Sequence, residues 1–284
     1  MRIELPYNGY IEANDIHIGN NVKFGKEVNI KVRGTFKIGD DSYVGDRFNA
    51  SGENIEIGKY FYNNPTDSRG MIIGGGSSNF PFANLKIGER CVCHTGHINL
   101  ARPVTIGNDV GLSHDVDIIT HGFWGSVLEG FPYTFSGVQI GNNVIVGWKT
   151  VIMSGVTITD DVVIGAHSTV AKDLLIKRGV YAGTPAKFIK TLELPNEEIK
   201  IDIMQNIISE FMELIDYYEV KRPTISFGYK YININNLKLD TENKECTGDH
   251  DEVTDAFRDF LRRYGLRFFH PNRPFNFNLP RKPL

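Results

Sequence analysis

Half of the histidines in this chain fall in one short stretch, and imidazole is the side chain best suited to proton transfer near neutral pH. Of the eight histidines, four occupy positions 94 to 121, namely His94, His97, His114 and His121. His121 opens a segment that runs to Gly137, is rich in aromatic residues and contains Trp124 and Tyr133. Neutral imidazole is also a zinc ligand. The stretch therefore indicates either general base catalysis or a metal site.

Nothing in the sequence indicates a covalent intermediate. Cys91 and Cys93 stand two residues apart, so they face one side of a strand and fit as small core residues. No Gly-x-Ser-x-Gly segment is present to expose a nucleophilic serine. We therefore expect the chemistry of this chain to proceed without a covalent enzyme intermediate.

A six-residue repeat defines the secondary-structure elements that carry these histidines. An Ile-Gly dipeptide recurs in a similar context, with its isoleucines at Ile18, Ile38, Ile57, Ile87, Ile106 and Ile140. After the last copy an aliphatic residue follows at every sixth position, namely Val146, Ile152, Ile158, Ile164 and Val170. This period fits neither a helix nor an ordinary single strand. It predicts a β-solenoid whose coils have three six-residue sides, with aliphatic columns inside a triangular prism.

Two coils are longer than the others. The spacing between successive Ile-Gly copies rises from 19–20 residues to 30 before Ile87 and to 34 before Ile140. We therefore predict loop excursions within about residues 60–84, which include the glycine-rich segment 74–78, and within residues 121–137. Loops that leave a rigid scaffold are where function concentrates.

Composition excludes several classes of protein. The chain has 284 residues, with 31 Lys and Arg against 34 Asp and Glu, so nucleic acid and acidic membrane surfaces are not expected as bulk partners. No apolar run is long enough to span a membrane, and residues 1–6 lack the pattern of a signal peptide. Three cysteines are too few for a disulfide scaffold. We expect a cytoplasmic protein.

Residues 15–190 resemble the hexapeptide-repeat acyltransferases, in particular the group of xenobiotic, streptogramin, galactoside and maltose acetyltransferases. The resemblance rests on the segment 104–110, on a histidine that opens a long loop containing Phe131–Tyr133, and on the segments 140–147, 171–173 and 181–190. It implies a mainly β protein, a left-handed parallel β-helix over residues 1–190. It also implies a homotrimer with active sites between subunits, and acetyl transfer from acetyl-CoA to a hydroxyl or amine.

The resemblance also implies roles for single residues. His121 matches the catalytic base, with His114 as its rival because the base of galactoside-type relatives lies about two positions further into the loop. The acceptor is expected at His94, His97, Trp124 and Tyr133. CoA is expected at a set of small, aromatic and cationic residues, namely Gly147, Trp148, Ala166, Ala171, Lys172, Lys187 and Lys190. No metal is expected.

The repeat ends near Lys190, and residues 195–284 are predicted to form a small α+β appendage. The pattern predicts a helix after Asn196, strands between Ile225 and Leu239, a polar turn over 240–248, a second helix over 251–264 and a short strand over 266–269. One interpretation is a cap on the open end of the solenoid. The other is a module that selects a large acceptor or a partner, with Arg258, Arg262, Arg263 and Arg267 meeting anionic groups.

Three classes of function remain open at this point. The first is O-acetylation of a sugar hydroxyl, with a bacterial surface polysaccharide as the acceptor. N-acetylation of an amino sugar or nucleotide-linked sugar is its alternative within the enzyme class. The second is a zinc enzyme resembling the gamma-type carbonic anhydrases, with ligands drawn from the four clustered histidines. The third is an inactive scaffold, which the presence of His121 disfavours.

Overall fold

The computed structural model describes residues 1–63, 69–75, 81–270 and 279. The chain forms two compact units, Met1–Glu193 and Leu194–Leu284, which we describe separately. Within the described ranges, no helix is both long and apolar enough to cross a membrane.

Among the described residues of the first unit, the regular elements are one 3₁₀ turn at Val127–Glu129 and otherwise only short strands. In chain order they are β1 (Arg2–Leu5), β2 (Gly9–Glu12), β3 (Asp15–Ile18), β4 (Lys23–Phe24), β5 (Asn29–Val32), β6 (Thr35–Ile38), β7 (Tyr43–Val44), β8 (Asn49–Gly52), β9 (Asn54–Ile57), β10 (Tyr62–Asn63), β11 (Met71–Gly74), β12 (Asn84–Ile87), β13 (Val92–Cys93), β14 (Gly96–Asn99), β15 (Val104–Ile106), β16 (Gly111–Leu112), β17 (Val116–Ile118), β18 (His121–Gly122), β19 (Thr134–Phe135), β20 (Val138–Ile140), β21 (Ile145–Val146), β22 (Val151–Ile152), β23 (Thr157–Ile158), β24 (Val163–Ile164), β25 (Thr169–Val170), β26 (Gly179–Ala182) and β27 (Lys187–Thr191).

These strands form the three sides of a prism. Sheet 1 has the order β1-β2-β5-β8-β11-β14-β17-β22-β25, sheet 2 the order β23-β20-β15-β12-β9-β6-β3, and sheet 3 the order β27-β26-β24-β21-β16-β13-β10-β7-β4. Between β3 and β25 the chain visits sheet 2, sheet 3 and sheet 1 in turn, and the pairs within each sheet are parallel. The antiparallel strands β1 and β27 lie at the ends of sheets 1 and 3. The predicted left-handed β-helix is confirmed.

The six-residue repeat becomes columns of stacked aliphatic side chains. Ile87 pairs in register with Ile106, Ile106 with Ile140, and Ile140 with Ile158. All four are at most 3% exposed and belong to one continuous core. Burying an isoleucine side chain contributes about 1.5–3 kcal/mol relative to leaving it in water. The columns therefore supply the main force that holds successive coils in register.

The corners use residues that tolerate a left-handed backbone. Between sheets 2 and 3, Asn21, Asp41, Asp109, Asn143 and Asp161 have φ between 53° and 62°. Their side chains also bond along the edge: the Asn21 amide donates to Asp41 and the Asn143 amide to Asp161, each at 2.8 Å. Asn and Asp adopt this conformation more readily than most residues, which explains why they recur after most of the Ile-Gly pairs, although Tyr60 and Arg90 occupy the same position in two coils.

The two predicted excursions differ in form. Residues 60–84 are interrupted by β11, which belongs to sheet 1 of the prism. Residues 64–68 and 76–80, which contain most of the glycine-rich segment, lie outside the described residues. The second excursion is a hairpin in which β18 pairs with β19 in antiparallel fashion, His121 opposite Phe135 and Gly122 opposite Thr134.

The second unit packs two helices with a small sheet. Helix α1 (Glu197–Tyr217) is followed by β28 (Ile225–Phe227), β29 (Tyr231–Ile234), β30 (Leu237–Asp240) and β31 (Glu245–Gly248), then by helix α2 (Glu252–Leu261) and a 3₁₀ turn over Arg262–Tyr264. The four strands form an antiparallel sheet in sequence order. The Phe211 ring of α1 contacts those of Phe257 and Phe260 in α2 within a separate core.

Three expectations for this unit are wrong in detail. The predicted polar turn over 240–248 contains β31, because Cys246 pairs with Leu239 of β30. The predicted strand over 266–269 contributes only a single bridge, between Phe269 and Glu245. Arg258 does not meet an external anion, because it is fully buried and binds the Phe268 carbonyl oxygen and the Asp255 carboxylate.

Candidate active site

Most of the chemistry-bearing residues of the prism lie on two of its edges. We call the corner at which the chain passes from sheet 1 to sheet 2 the loop edge; it carries Leu100–Pro103, the hairpin loop 119–137, Met153–Gly155 and Ala171–Asp173. We call the corner from sheet 3 to sheet 1 the histidine edge; it carries His94, His114, Trp148 and His167. Sheet 1 separates the two edges within one chain.

On the loop edge, the His121 ring is held by the buried side chain of Asn99. His121 Nδ1 lies 2.8 Å from Asn99 Oδ1. The same oxygen accepts hydrogen bonds from the Ala101 backbone N–H at 3.1 Å and from Thr120 Oγ1 at 2.6 Å. Asn99 is 5% exposed and Thr120 is fully buried. A buried, multiply bonded partner of this kind restricts the orientation of the imidazole.

Aromatic rings cover part of the His121 imidazole. Its ring centroid lies 5.7 Å from that of Phe135 in a stacked arrangement and 5.6 Å from that of Phe123. The Arg102 guanidinium lies 5.5 Å from the Phe135 ring. The hairpin that carries Phe123 and Phe135 continues to Trp124, which is 98% exposed, and to Tyr133, which is 66% exposed. A large exposed aromatic surface therefore adjoins a partly buried imidazole, as at many ligand sites.

On the histidine edge, two imidazoles stack on each other. The ring centroids of His94 and His114 lie 4.4 Å apart, with 18° between the ring planes. His114 Nδ1 lies 3.3 Å from Thr95 Oγ1. Beneath the corner, the fully buried Asn63 donates to the carbonyl oxygens of Cys93 and His94 and accepts from the Gly45 backbone N–H. The pair thus has a rigid foundation in the preceding coils.

Asp115 connects this pair to Trp148. Its carboxylate accepts hydrogen bonds from Thr95 Oγ1 at 3.1 Å, from Arg69 at 2.9 Å and from Trp148 Nε1 at 3.4 Å. Desolvation raises the pKa of Asp115, but these hydrogen bonds and the Arg69 charge outweigh it and leave the pKa below its usual value. Trp148 itself is half exposed and meets the His167 ring edge to face at 5.6 Å.

The structure distributes the expected CoA residues over both edges and a terminal strand. Gly147, Trp148 and Ala166 lie on the histidine edge, Ala171 and Lys172 on the loop edge, and Lys187 and Lys190 on the exposed strand β27. The glycine at position 147 also has a structural role, because a Cβ there would lie only 2.5 Å from the Ala166 backbone nitrogen. One chain therefore does not bring His121 together with Trp148.

The four clustered histidines do not converge either. His94 and His114 share the histidine edge, His121 lies on the loop edge, and His97 lies on β14, where it pairs in register with Ile72 and Asp117. Among the described residues, no group of three or more His, Cys, Asp or Glu side chains could hold a metal ion.

Sequence reasoning missed Asn99, Thr120 and Phe135. The coil spacing could have indicated the first two, because residues about one coil apart are neighbours along an edge, and Asn99 precedes His121 by 22 residues. Phe135 carries no such signal, since its place depends on the register of the hairpin loop.

The comparison with protein families identifies the repeat. Residues 137–172 match the family described as bacterial transferase hexapeptide (six repeats). This segment therefore consists of hexapeptide repeats similar to those of bacterial transferases, in agreement with the resemblance that the Ile-Gly pattern indicated. A comparison with curated proteins gives no match.

Solved structures similar to this chain include three acyltransferases. A polysialic acid O-acetyltransferase is 22% identical, with 65% of this chain and 89% of that chain covered and a TM-score of 0.45. A galactoside acetyltransferase in complex with coenzyme A is 28% identical, with coverages of 48% and 66% and a TM-score of 0.38. An N-acyltransferase from Bacillus cereus is 18% identical, with coverages of 68% and 91% and a TM-score of 0.38.

Proposed function

We propose that the chain is an acetyl-CoA-dependent O-acetyltransferase that acts on a sugar hydroxyl, with a bacterial surface polysaccharide as its acceptor. His121 is the general base of this proposal. The observation that carries it is the fixed imidazole of His121 at the base of an aromatic hairpin, with Nδ1 bound 2.8 Å from Asn99 Oδ1. The hexapeptide repeat of bacterial transferases supports the class of reaction.

The proposed chemistry needs one base and no covalent enzyme intermediate. A sugar hydroxyl is barely acidic, and a positioned imidazole can remove its proton as the oxygen attacks, which typically contributes 10²–10⁴-fold. The attack on the thioester carbonyl forms a C–O bond, and collapse of the tetrahedral intermediate breaks the C–S bond. The leaving thiolate of CoA then takes the proton from the imidazolium of His121, which restores the base.

The acceptor would bind against the hairpin loop. Trp124 and Tyr133 present broad aromatic faces to solvent, and the apolar face of a pyranose ring packs against such surfaces. His97 lies on β14, which ends at Asn99, so it can line the same side of the site. His94 lies on the other edge of the same chain, and it could contact that acceptor only across a subunit boundary.

The donor would bind along the upper coils. Gly147, Trp148, Ala166 and Ala171 would follow the pantetheine arm. Lys172, Lys187 and Lys190 are exposed, and their positive charges favour the phosphates of CoA.

A second copy of the chain would complete this site. His121 and Trp148 lie on different edges of one prism, so donor and base residues would meet only if the histidine edge of one copy faces the loop edge of another. Such a heterologous contact repeated three times closes into a ring. The proposed assembly is a homotrimer.

His121→Ala tests the proposed base. We expect kcat with acetyl-CoA and a sugar acceptor to fall by about 10²-fold or more, because the hydroxyl loses its proton acceptor. Acetyl-CoA affinity, measured by calorimetric titration, should stay nearly unchanged. Turnover is measured as CoA thiol release over a panel of sugars and amino sugars.

Two further variants make this experiment specific. His17→Ala changes an exposed histidine on β3 and should leave turnover at the level of the unmodified chain. His114→Ala tests the rival base: near-normal turnover in His121→Ala together with a large loss in His114→Ala would transfer the role to His114. Acetylation of amines alone would overturn the O-transfer proposal.

A further inference from the structure

We propose that Asn99 is a positioning residue that holds His121 in the tautomer with its proton on Nδ1. Its catalytic consequence rests on the proposed role of His121, but the tautomer itself can be measured without any activity. Ala101, Thr120 and His121 each contact the oxygen of the buried Asn99 amide. A fourth contact joins the Arg102 backbone N–H to the Thr120 hydroxyl.

The orientation of the Asn99 amide follows from its neighbours. The atom placed as Oδ1 lies 3.1 Å from the Ala101 backbone nitrogen. A backbone N–H can only donate, so it needs an acceptor there, and the amide nitrogen of Asn99 has none to offer. The reversed amide would turn its NH₂ group toward this N–H at a site where Asn99 is only 5% exposed. The oxygen therefore faces Ala101.

Thr120 supports the same orientation. Its hydroxyl oxygen accepts from the Arg102 backbone N–H at 3.1 Å, so the hydroxyl hydrogen points elsewhere. Asn99 Oδ1 lies 2.6 Å from that oxygen and the Asn99 carbonyl oxygen lies 3.1 Å from it. Thr120 thus donates toward oxygen acceptors of Asn99. The Ala101 backbone N–H, which cannot accept, fixes which end of the Asn99 amide is turned toward His121.

The orientation of the Asn99 amide determines which ring nitrogen of His121 carries the proton. Asn99 Oδ1 offers only lone pairs, and His121 Nδ1 lies 2.8 Å from it, so Nδ1 must carry hydrogen for the contact to be attractive. In the neutral ring Nε2 then has the lone pair. Because Nδ1 is occupied by its bond to Asn99, Nε2 is the nitrogen through which this imidazole can accept a proton.

The tautomer is tested directly by ¹⁵N NMR of the His121 ring in the full-length protein above neutral pH. We expect the chemical shifts of a ring protonated at Nδ1 and unprotonated at Nε2. Asn99→Leu removes the acceptor, and we expect the Nε2–H form to become substantially populated, with kcat reduced by about tenfold or more. An Nε2–H ring in the unmodified protein would overturn the proposal.

Asn99→Asp provides a variant that keeps all three hydrogen bonds. Its carboxylate would lie beside the ring, and an opposite charge at this distance favours the protonated imidazole by about 1–3 pH units. We expect the midpoint of His121 titration and the acid limb of the kcat profile to move upward by at least about 1 unit. Asn49→Asp places a carboxylate on the same sheet without contact to His121 and should move neither.

The outcomes separate this proposal from the proposed function. A merely structural Asn99 would lower the thermal midpoint in both variants and leave the tautomer of His121 unchanged in Asn99→Leu, which would contradict the positioning role. If the chain transfers no acetyl group to any sugar, the ring spectra and the titration still test Asn99 by themselves. Should Asn99→Leu fail to fold, Asn99→Asp retains the test.

Discussion

Single buried polar residues connect the coils of the prism in a way that apolar columns cannot. Asn63 bonds forward to the carbonyl oxygens of Cys93 and His94, and Asn99 bonds forward to Thr120 and His121. Each spans from one coil to the next. Because a buried group left unpaired costs about 1–3 kcal/mol, these contacts specify the register exactly where the two edges carry their histidines.

A second buried imidazole, His250, has a different environment. Its side chain is 5% exposed, Nδ1 lies 3.0 Å from Asp255 Oδ1, and Nε2 has no hydrogen-bond partner among the described residues. The His270 ring lies 4.6 Å away. Desolvation lowers the pKa of His250, and the Arg258 charge adds to this, although the Asp255 carboxylate acts in the opposite direction.

This environment predicts a pH dependence of stability. The pKa of His250 is lower in the folded than in the unfolded state, where it is about 6.5. Below pH 6.5 the unfolded chain binds the extra proton first, so the free energy of unfolding falls as pH decreases, while above pH 6.5 this group contributes no slope. Urea unfolding of the second unit between pH 7.5 and 5.5 measures the effect.

The control replaces the titrating group. His250→Gln should flatten this slope, whereas His17→Gln, an exposed residue of the first unit, should keep it. An equal slope in the unmodified protein and in His250→Gln would assign the dependence to other groups.

At the scale of elements, the hairpin loop is closed at its base and organised internally. Ser154, in the coil that follows, lies 3.0 Å from Thr134 Oγ1, accepts from the Ser136 N–H at 3.0 Å and donates to the Ser136 carbonyl oxygen at 3.1 Å. Toward its tip, the Phe131 ring packs where a Cβ of Gly125 would lie, within 2.3–2.7 Å. The loop is therefore a structured element, and it exposes the Trp124 side chain to solvent.

Ser154→Ala should loosen this element without unfolding the prism. Losing one hydroxyl with several partners costs about 1–2 kcal/mol, and the cost falls on the base of the loop. We expect faster amide hydrogen exchange in residues 121–136 and turnover reduced severalfold. Ser226→Ala, an exposed hydroxyl in the second unit that accepts from Asn233, is the matched control. Unchanged exchange in the loop would show that Ser154 does not anchor it.

The sequence predicts regular elements better than the contacts of the site. The recurrence of an aliphatic residue at every sixth position from Ile140 to Val170 was enough to predict the coils, since each of these residues must point inward. The recurrence of apolar residues three and four positions apart, as at Ile207 and Phe211, was enough to predict α1. Strand β31 escaped prediction because Glu245–Gly248 contains only one apolar residue, and pairing with β30 overrides its weak propensity. The coil spacing makes Asn99 and His121 neighbours, but the bond between their side chains also depends on the geometry of the corner, which no local sequence pattern encodes.

At the scale of the molecule, each unit has its own core. The first core runs along the prism from Ile11 to Tyr181, and the second is built by α1, α2 and the four-stranded sheet. The loop edge and the histidine edge of the first unit are separated by sheet 1. The proposed site thus requires association of copies.

Intersubunit complementation tests this requirement. We expect the unmodified chain, of 32.0 kDa, to sediment with three times this mass. We further expect His121→Ala and Trp148→Ala each to lose activity, and their mixed assemblies to recover up to about a quarter of it, because each site would draw one edge from each of two copies. Assemblies that mix without any recovery would place the whole site within one chain.

The hairpin loop has a further consequence for how such a protein can change. The coil that carries it and the next coil turn the same corner, one with the loop 119–137 and the other with Met153–Gly155. Both re-enter sheet 2 in register, since Ile106 pairs with Ile140 and Ile140 with Ile158. This corner therefore accommodates loops of different lengths without disturbing the aliphatic columns. During evolution, a different loop could replace this one and change the proposed acceptor contacts while the aliphatic columns of the prism stay the same.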